Sequence, residues 1–327
     1  MQFTTGVVPP DPDPDPDPDP AGPDGAHRLA GAGRYDTAVQ VALDRFDPAD
    51  VDTVFVATGT NFPDALAGGP LAAQRHAPIL LVSPTTLPEV VADALATLGP
   101  SEVIAFGGAG AVSDDVLAAA AAAAGGAATD RVAGNDRYET AAAIADAMDT
   151  TGVSGVFLAT GTNFPDALAG GPASGGAPIL LSHPSRLPDA TRTALAALTP
   201  SSVTALGGAA VVPAEILSEA ATVAGGAATA RLAGDGRFDT AAAIATTLGD
   251  VDTVYVAVGT NFPDALAASP AASAEGAPIV LTLTDTLPQA TIDYLDGLSA
   301  IRRIVILGGT AVVDAGVAQQ LEGFLTP

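Results

Sequence analysis

The chain has 327 residues and a formal net charge of −25, with 12 arginines, no lysine and no cysteine. A surface this acidic repels nucleic acid and anionic membranes, so we expect neither a nucleic-acid partner nor membrane insertion. The absence of cysteine excludes disulfides, thiolate catalysis and cysteine-ligated zinc.

Residues 1–25 are predicted to form a disordered linker rich in proline and aspartate. Within it, PPDPDPDPDPDP (9–20) favours an extended polyproline-II path, and its aspartates repel one another. At about 3.1 Å per residue it is a spacer of roughly 35 Å; a plain disordered tail is the alternative. The residues before it lack the basic and apolar regions of a signal peptide, so we expect no export signal in this chain. No apolar run is long enough to span a membrane.

The rest of the chain consists of three sequence repeats. Five markers keep their order and spacing, and in the first copy they are RLAGAGRYDTA (28–38), GTNFPDALAGGP (59–70), APILL (77–81), LP (87–88) and VIAFGG (103–108). A period near 100 residues is the size of a small domain rather than of a solenoid unit. We therefore draw three repeats, at 26–128, 129–228 and 229–327.

Within a repeat, segments with helical spacing alternate with short apolar runs. In the first copy the predicted helices are 36–46, 62–74, 87–98 and 113–124, and the predicted strands are 51–59, 78–82 and 102–108. Alternation of this kind predicts an α/β fold with parallel sheets covered on both faces.

The phrase at 59–70 returns unchanged at 161–172 and as GTNFPDALAASP at 259–270. It lies where a strand ends and a helix begins, with Gly59 and Thr60 in the turn. Asn61 is a suitable helix cap, and Pro63 suits the first helical turn because it has no N–H to leave unpaired. Asp64 places a negative charge beside the positive end of the helix.

Half of the arginines occupy matching repeat positions, namely Arg28, Arg34, Arg131, Arg137, Arg231 and Arg237. In a structural interpretation, Arg34 pairs with Asp36 or Asp64 and fastens the first helix to the strand–helix turn. In a functional interpretation, Arg34 and the helix amides near Asn61 form an anion pocket at the carboxyl edge of the sheet. Asp64 counts against the pocket, because its carboxylate would occupy the same positive field.

The ordered blocks RLAGxxRY[DE]TA, TGxNFPDALA, PILL and LGG resemble the cell-wall-binding repeat type 2 family, over nearly everything after residue 25. The resemblance implies three Rossmann-like or toprim-like units with parallel sheets in a pseudo-threefold arrangement. It also implies a non-enzymatic module that anchors a bacterial surface protein non-covalently, outside the cell, to an anionic wall polysaccharide or teichoic-type polymer. The candidate polymer contacts are the six repeated arginines and the turns at Asn61, Asn163 and Asn261.

The family places such repeats beside an effector domain, which this chain does not display. A modifier subunit that binds a wall hydrolase or amidase is therefore an alternative function. The acidic composition and missing lysine depart from what an anionic ligand needs, and either codon usage or salt adaptation explains them. Salt screening, bridging Ca²⁺ or a neutral glycan would reconcile the charge with wall binding.

A nucleotide- or sugar-processing enzyme is the weaker alternative. The chain has no GxxxxGK[ST] motif, and GTNFPD is not GxGxxG. His27, His76 and His183 fall at non-equivalent repeat positions, and no His/Asp cluster has metal-ligand spacing. The repeated carboxylates Asp64, Asp166 and Asp264 could serve acid–base chemistry, although Asp is ordinary at a helix start. We expect no catalytic residue and no cofactor, since three matched sites suit a polymer better than a small substrate.

Overall fold

A computed structural model describes residues 25–61, 67–163, 165–261 and 263–326. The described part of the chain alternates strands with α-helices. The strands are β1 (Gly25–Leu29), β2 (Thr53–Thr58), β3 (Ile79–Val82), β4 (Glu102–Phe106), β5 (Ala128–Val132), β6 (Gly155–Thr160), β7 (Ile179–Ser182), β8 (Ser202–Leu206), β9 (Ala228–Leu232), β10 (Thr253–Val258), β11 (Ile279–Thr282) and β12 (Arg303–Leu307). The helices are α1 (Arg34–Arg45), α2 (Gly68–Gln74), α3 (Glu89–Leu98), α4 (Asp114–Ala123), α5 (Arg137–Asp146), α6 (Pro165–Ala173), α7 (Asp189–Leu198), α8 (Ala214–Val223), α9 (Arg237–Thr246), α10 (Pro263–Glu275), α11 (Gln289–Asp296) and α12 (Ala315–Glu322).

The strands form three sheets of four, in the orders β3-β2-β4-β5, β7-β6-β8-β9 and β11-β10-β12-β1, and every pairing is parallel. The predicted α/β class, parallel sheets and pseudo-threefold arrangement are confirmed. The central strands are mostly buried because helices cover both faces, which is why they appear in the sequence as apolar runs.

Each sheet is completed by the first strand of the following repeat. β5 begins the second repeat but pairs with β4, from Glu102↔Ala128 to Phe106↔Val132. β9 joins β8 in the same way, and β1 of the first repeat pairs with β12 of the third, which closes the ring. The sequence boundaries at 26, 129 and 229 fall inside these shared strands. The sequence analysis missed this fourth strand, because β5 and β9 are short, lie at a sheet edge and begin with exposed residues.

A charged cluster reinforces the closure between the first and third repeats. Arg303 of β12 donates to Asp44 of α1 and to Glu275 of α10, each at 2.7 Å. The Tyr255 hydroxyl donates to the second oxygen of Glu275 at 3.0 Å. Glu102 and Ser202 occupy the position of Arg303 in the other repeats, so this cluster belongs to the ring closure alone.

The predicted linker lies outside the described residues except for Gly25, which opens β1. Pro63 and Asp64 also lie outside them. In the other two copies the central helix begins at the equivalent proline, Pro165 or Pro263.

The central helices α2, α6 and α10 contact one another and bring the three repeats together. Small residues let them lie close to their sheets. A Cβ on Gly68 would come within 2.6 Å of the Phe106 ring, which stacks on Phe55 with ring centroids 4.5 Å apart. The main apolar core therefore extends continuously through residues of all three repeats.

Gly69, Gly171 and Ser269 occupy the same position of the repeated phrase and meet where the central helices touch. A Cβ on either glycine would overlap the buried hydroxyl oxygen of Ser269. The space at the pseudo-threefold axis has room for a side chain from only one of the three equivalent positions. Glycine is needed here for close approach, since the backbone φ of Gly69 and Gly171 is not positive.

Exchanging the axial residues tests this arrangement. Gly69→Ser alone should destabilise the fold by about 1–3 kcal/mol, because it overpacks a full site. The double variant Gly69→Ser with Ser269→Gly should recover most of the loss, because it moves the single hydroxymethyl group to another helix. Thermal melts of both variants and of Ser269→Gly alone make the measurement. A loss of stability in the double variant equal to the sum of the losses in the two single variants would contradict a shared axial site.

Candidate functional site

The first repeated arginine holds the glycine pair that follows a central strand. Its Nη1 donates to a glycine carbonyl at 2.6 Å in each sheet, from Arg28 to Gly308, from Arg131 to Gly107 and from Arg231 to Gly207. Since the arginine lies on the shared strand, it always holds the turn of the preceding repeat. In two copies the second nitrogen donates as well, from Arg131 to Asp114 at 2.9 Å and from Arg231 to Val212 O at 2.7 Å.

The second repeated arginine is the first residue of α1, α5 or α9, and it holds the strand–helix turn of its own repeat. Arg34 donates to Gly59 O. Arg137 donates to Gly161 O and Arg237 to Gly259 O, each at 2.5 Å. Arg34 therefore fastens the first helix to this turn through a carbonyl, whereas the sequence analysis considered Asp36 or Asp64 as its partner.

The aromatic residue next to this arginine explains the glycine in the turn. A Cβ on Gly59 would approach the Tyr35 ring to 2.8 Å, and one on Gly161 would approach Tyr138 to 2.7 Å. Phe238 packs on Gly259 in the same way. The glycine thus admits the ring, which links the RY or RF pair to the distant GT pair of each repeat.

A glycine and a threonine of the first marker, which recur in every repeat, fasten the start of the same helix. The N–H of the RLAG or RVAG glycine donates to a threonine hydroxyl one turn into the helix, from Gly31 to Thr37 at 3.3 Å and from Gly134 to Thr140 at 3.1 Å. The third repeat makes the same bond at 3.1 Å. Most of the marker is therefore accounted for by the geometry of the carboxyl edge.

A partly buried carboxylate lies beside this edge in the two copies where it is described. Asp166 and Asp264 are in the first turns of α6 and α10 and press against Gly207 and Gly308. Burial raises the pKa of Asp264 to about 6, and the charge of Arg34 partly offsets this rise. Burial likewise raises the pKa of Asp166, against the opposing effect of Arg237. Each aspartate is therefore influenced by an arginine of the next repeat. Asp166 of the second repeat is paired with Arg237 of the third, and Asp264 of the third repeat with Arg34 of the first.

The candidate asparagines lie on the exposed side of the same turns. Asn61, Asn163 and Asn261 are exposed, and each follows an exposed threonine. All six candidate arginines are half-buried. The structure therefore brings an arginine and an asparagine to one strand–helix turn in each repeat. The helix-capping role of Asn61 stays a prediction.

The histidines occupy unrelated surroundings. His27 is packed beside Arg303 at the ring closure, where burial is the main cause that lowers its pKa. His183 Nδ1 lies 2.8 Å from the Ser185 hydroxyl and 3.1 Å from Ser185 N, so this ring nitrogen is engaged within its own turn. Across the described residues, no group of three His, Cys, Asp or Glu is placed to hold a metal ion. No helix in the same residues is both long and apolar enough to cross a membrane.

These features define a class of protein: a ring of three interlocked α/β repeats that presents the same arginine-bearing edge three times. The sequence profile of Cell wall binding domain 2 (CWB2) matches residues 28–117, 131–217 and 231–318. The chain belongs to this family and is a cell-wall-binding module.

Two curated proteins of Bacillus subtilis (strain 168) are similar to the chain. N-acetylmuramoyl-L-alanine amidase LytC is 29% identical over 298 residues, which is 90% of this chain and 58% of the amidase. The Amidase enhancer is 29% identical over 300 residues, which is 90% of this chain and 40% of the enhancer. The chain thus spans about half the length of these relatives.

Two solved structures from Clostridium difficile share the fold. Cwp6 superposes with a TM-score of 0.84 at 24% identity, over 93% of this chain and 48% of that chain. Cwp8 superposes with a TM-score of 0.81 at 26% identity, over 92% and 52%. The threefold ring is therefore an established architecture.

The buried carboxylate predicts a pH dependence of stability. Because its folded-state pKa lies above the ordinary value of 3.8, Asp264 keeps its proton in the folded state after the unfolded chain has lost it. Its contribution is most favourable below about pH 4 and is lost as the pH rises through about 6. The difference in melting temperature, Asp264→Asn minus the unchanged chain, should therefore be more positive at about pH 7.5 than at about pH 4.5. A difference that stays constant between the two pH values would contradict the burial of this carboxyl.

Proposed function

We propose that the module anchors a bacterial surface protein outside the cell by non-covalent, non-enzymatic binding to an anionic wall polymer. The observation that carries the proposal is the threefold repetition of one arrangement at the carboxyl edge of the sheets. In each repeat a half-buried arginine is held on a glycine carbonyl beside an exposed Thr-Asn pair. A wall polysaccharide or teichoic-type polymer offers charged or hydroxyl groups at intervals that such repeated sites can bind.

The hydrogen bonds within the protein prepare these arginines for a ligand. A guanidinium is a planar fork of N–H donors, so a bond from one donor to a carbonyl fixes the direction of the whole group. A side chain that is already ordered loses little rotamer entropy when it binds. Three weak sites on one rigid body add through effective concentration, so modest affinity per repeat gives strong retention on a long polymer.

The net charge of −25 opposes an anionic ligand at long range. At physiological ionic strength, charges more than about 8 Å apart are largely screened, so local contacts decide binding. The other arginines serve mainly in ion pairs away from the repeated edge, as Arg75 with Glu102 and Arg303 with Asp44 and Glu275 illustrate. The candidate edge thus concentrates the scarce positive charge where three copies repeat it.

A role as modifier subunit of a wall hydrolase is the second candidate. Its support is that the similar curated proteins are named as an amidase and an amidase enhancer, and that the chain spans about half their length. In this form the module binds the wall and also contacts, or is joined to, an enzyme that cuts it. A nucleotide- or sugar-processing activity has less support, because the repeated carboxylates and the histidines converge on no common site within the described residues.

Retention on purified walls tests the anchoring role. The protein should sediment with intact walls, and extraction of the anionic polymer should abolish sedimentation. The triple variant Asn61→Ala, Asn163→Ala and Asn261→Ala should lose far more retention than any single variant, because the sites act together. Equal retention on stripped walls would rule out the anionic polymer.

The arginine variants separate ligand contact from structural support in the same assay. Each of Arg34→Gln, Arg137→Gln and Arg237→Gln should cost about 0.5–1.5 kcal/mol, since a glycine carbonyl loses its partner. Thermal melts give the folded fraction of each variant. Wall retention per folded molecule should also fall, so that the loss of stability alone does not account for the loss of binding. Arg75→Gln is the matched control, because Arg75 lies at the opposite end of the first sheet. Unchanged retention per folded molecule would make the arginines purely structural.

Chelation tests a bridging cation. Since no metal-binding group is preformed in the described residues, a bridging Ca²⁺ would have to sit between protein carboxylates and the polymer. We expect direct arginine contacts to carry binding, so that EDTA releases little protein while added salt releases it progressively. Complete release by EDTA at constant ionic strength would show that Ca²⁺ carries the interaction instead.

A further inference from the structure

The second repeat carries an open apolar groove that is larger than its counterpart in the third repeat. The counterpart lies between α9 and α11, has a volume of about 330 Å³, and is lined by Thr246 and Tyr294 among others. The groove lies between α5 and α7 and has a volume of about 500 Å³. Its floor is built mainly from alanines on the two facing helices, including Ala142, Ala143, Ala190 and Ala194. These four residues remain partly exposed.

Several positions of this surface have smaller side chains than their equivalents in the other repeats. Ala142 and Ala190 stand where the first repeat has Val39 and Val90. Ala194 stands where the third repeat has Tyr294, whose side chain is buried in that position. The helix pair is in contact in all three repeats, so the groove comes from smaller side chains.

The rim of the groove is acidic and has no cation among its lining residues. Glu139, Asp146 and Asp189 border it. Glu139 accepts hydrogen bonds from the backbone and side chain of Asn135, and Asp189 lies 4.0 Å from Arg192, whose shorter contact is with Glu219. All three acidic positions are filled only in this repeat.

The other repeats interrupt the acidic set. The first repeat has Leu43 at the position of Asp146, and the third has Thr246 there. The third repeat also has Gln289 at the position of Asp189. An alanine floor and a complete acidic rim therefore coincide in the second repeat alone.

We propose that the groove between α5 and α7 docks a cationic amphipathic helix of a partner protein. A helix ridge of leucine or alanine side chains fits between two helices, and burial of its apolar face supplies the main attraction. Lysines or arginines on its flanks meet the carboxylates, which lie about 10 Å apart along α5 from Glu139 to Asp146. A second copy of this chain is disfavoured, because its net charge of −25 repels the rim.

This site adjoins the proposed wall contacts at the start of α5, where Glu139 lies two residues from Arg137, but it shares no residue with them. An anionic polymer is repelled from its acidic rim. Its consequence is a module that holds the wall at one surface and a basic protein segment at another. The partner is defined by its chemistry, a helix with an apolar stripe and positive flanks.

The test uses a labelled peptide of roughly 16 residues with leucine and alanine along one helical face and lysine along the flanks. Fluorescence anisotropy with the whole chain should show binding that weakens as salt rises to about 0.5 M. A peptide with glutamate in place of lysine should not bind. Absence of binding by the lysine peptide, or equal binding by both peptides, would overturn the proposal.

Variants that copy the siblings locate the site. Ala194→Tyr should weaken peptide binding by about tenfold or more while the protein stays folded, because the third repeat already accommodates tyrosine there. Asp146→Thr combined with Asp189→Gln should weaken it mainly at low salt. Ala119→Tyr, on the exposed side of α4, is the matched control and should leave affinity unchanged. Unchanged affinity for Ala194→Tyr would place the peptide elsewhere, and dimerisation abolished by Ala194→Tyr would make a second copy the occupant; either result overturns the proposal.

Discussion

The structure depends on one constraint: no repeat can complete its own sheet. A strand from the next repeat pairs with each sheet, and the last sheet is completed by β1 at the start of the chain. An unpaired sheet edge exposes backbone N–H and C=O groups, so each repeat needs its neighbour for stability. The same strands carry the first repeated arginine, which is why Arg131 holds the glycine pair of the first repeat and Arg28 that of the third. Interlocking thus places the arginines at repeat boundaries.

The arginines that support the fold are also the candidates for binding, and the two roles are physically compatible. The sequence analysis set a structural and a functional interpretation of Arg34 against each other. In the structure its guanidinium is held by Gly59 O and lies in the electrostatic field of Asp264 from another repeat. A group fixed in this way is oriented before any ligand arrives, which lowers the entropic cost of binding. Structural support therefore does not argue against polymer contact.

The alternation of elements, the parallel sheets and the three repeats could be predicted because buried strands and amphipathic helices leave strong periodic signals. The shared strand could not, since residues 128–130 are exposed and polar or small, as expected at a sheet edge. The repeated arginines could be found in the sequence, but their hydrogen-bond partners could not. Gly308 lies 280 positions from Arg28, and the hydrogen bond between them forms only when the ring closes. The axial site could not be predicted for a similar reason. The sequence shows serine at 269 and glycine at 69 and 171, but only the contact of the three helices shows that these residues share one space.

Departures from threefold symmetry separate what the repeats share from what one of them adds. The carboxyl edge keeps its carbonyl, arginine and aromatic geometry in all three copies, which suits the long, repetitive ligand proposed for it. The groove between α5 and α7 is larger than its counterpart in the third repeat and combines an alanine floor with a complete acidic rim, which suits the single partner proposed for it. The edge carries arginines beside a partly buried aspartate, whereas the lining of the groove carries carboxylates and no cation. An anionic polymer is repelled from the acidic rim of the groove, so it does not compete there with the proposed cationic helix.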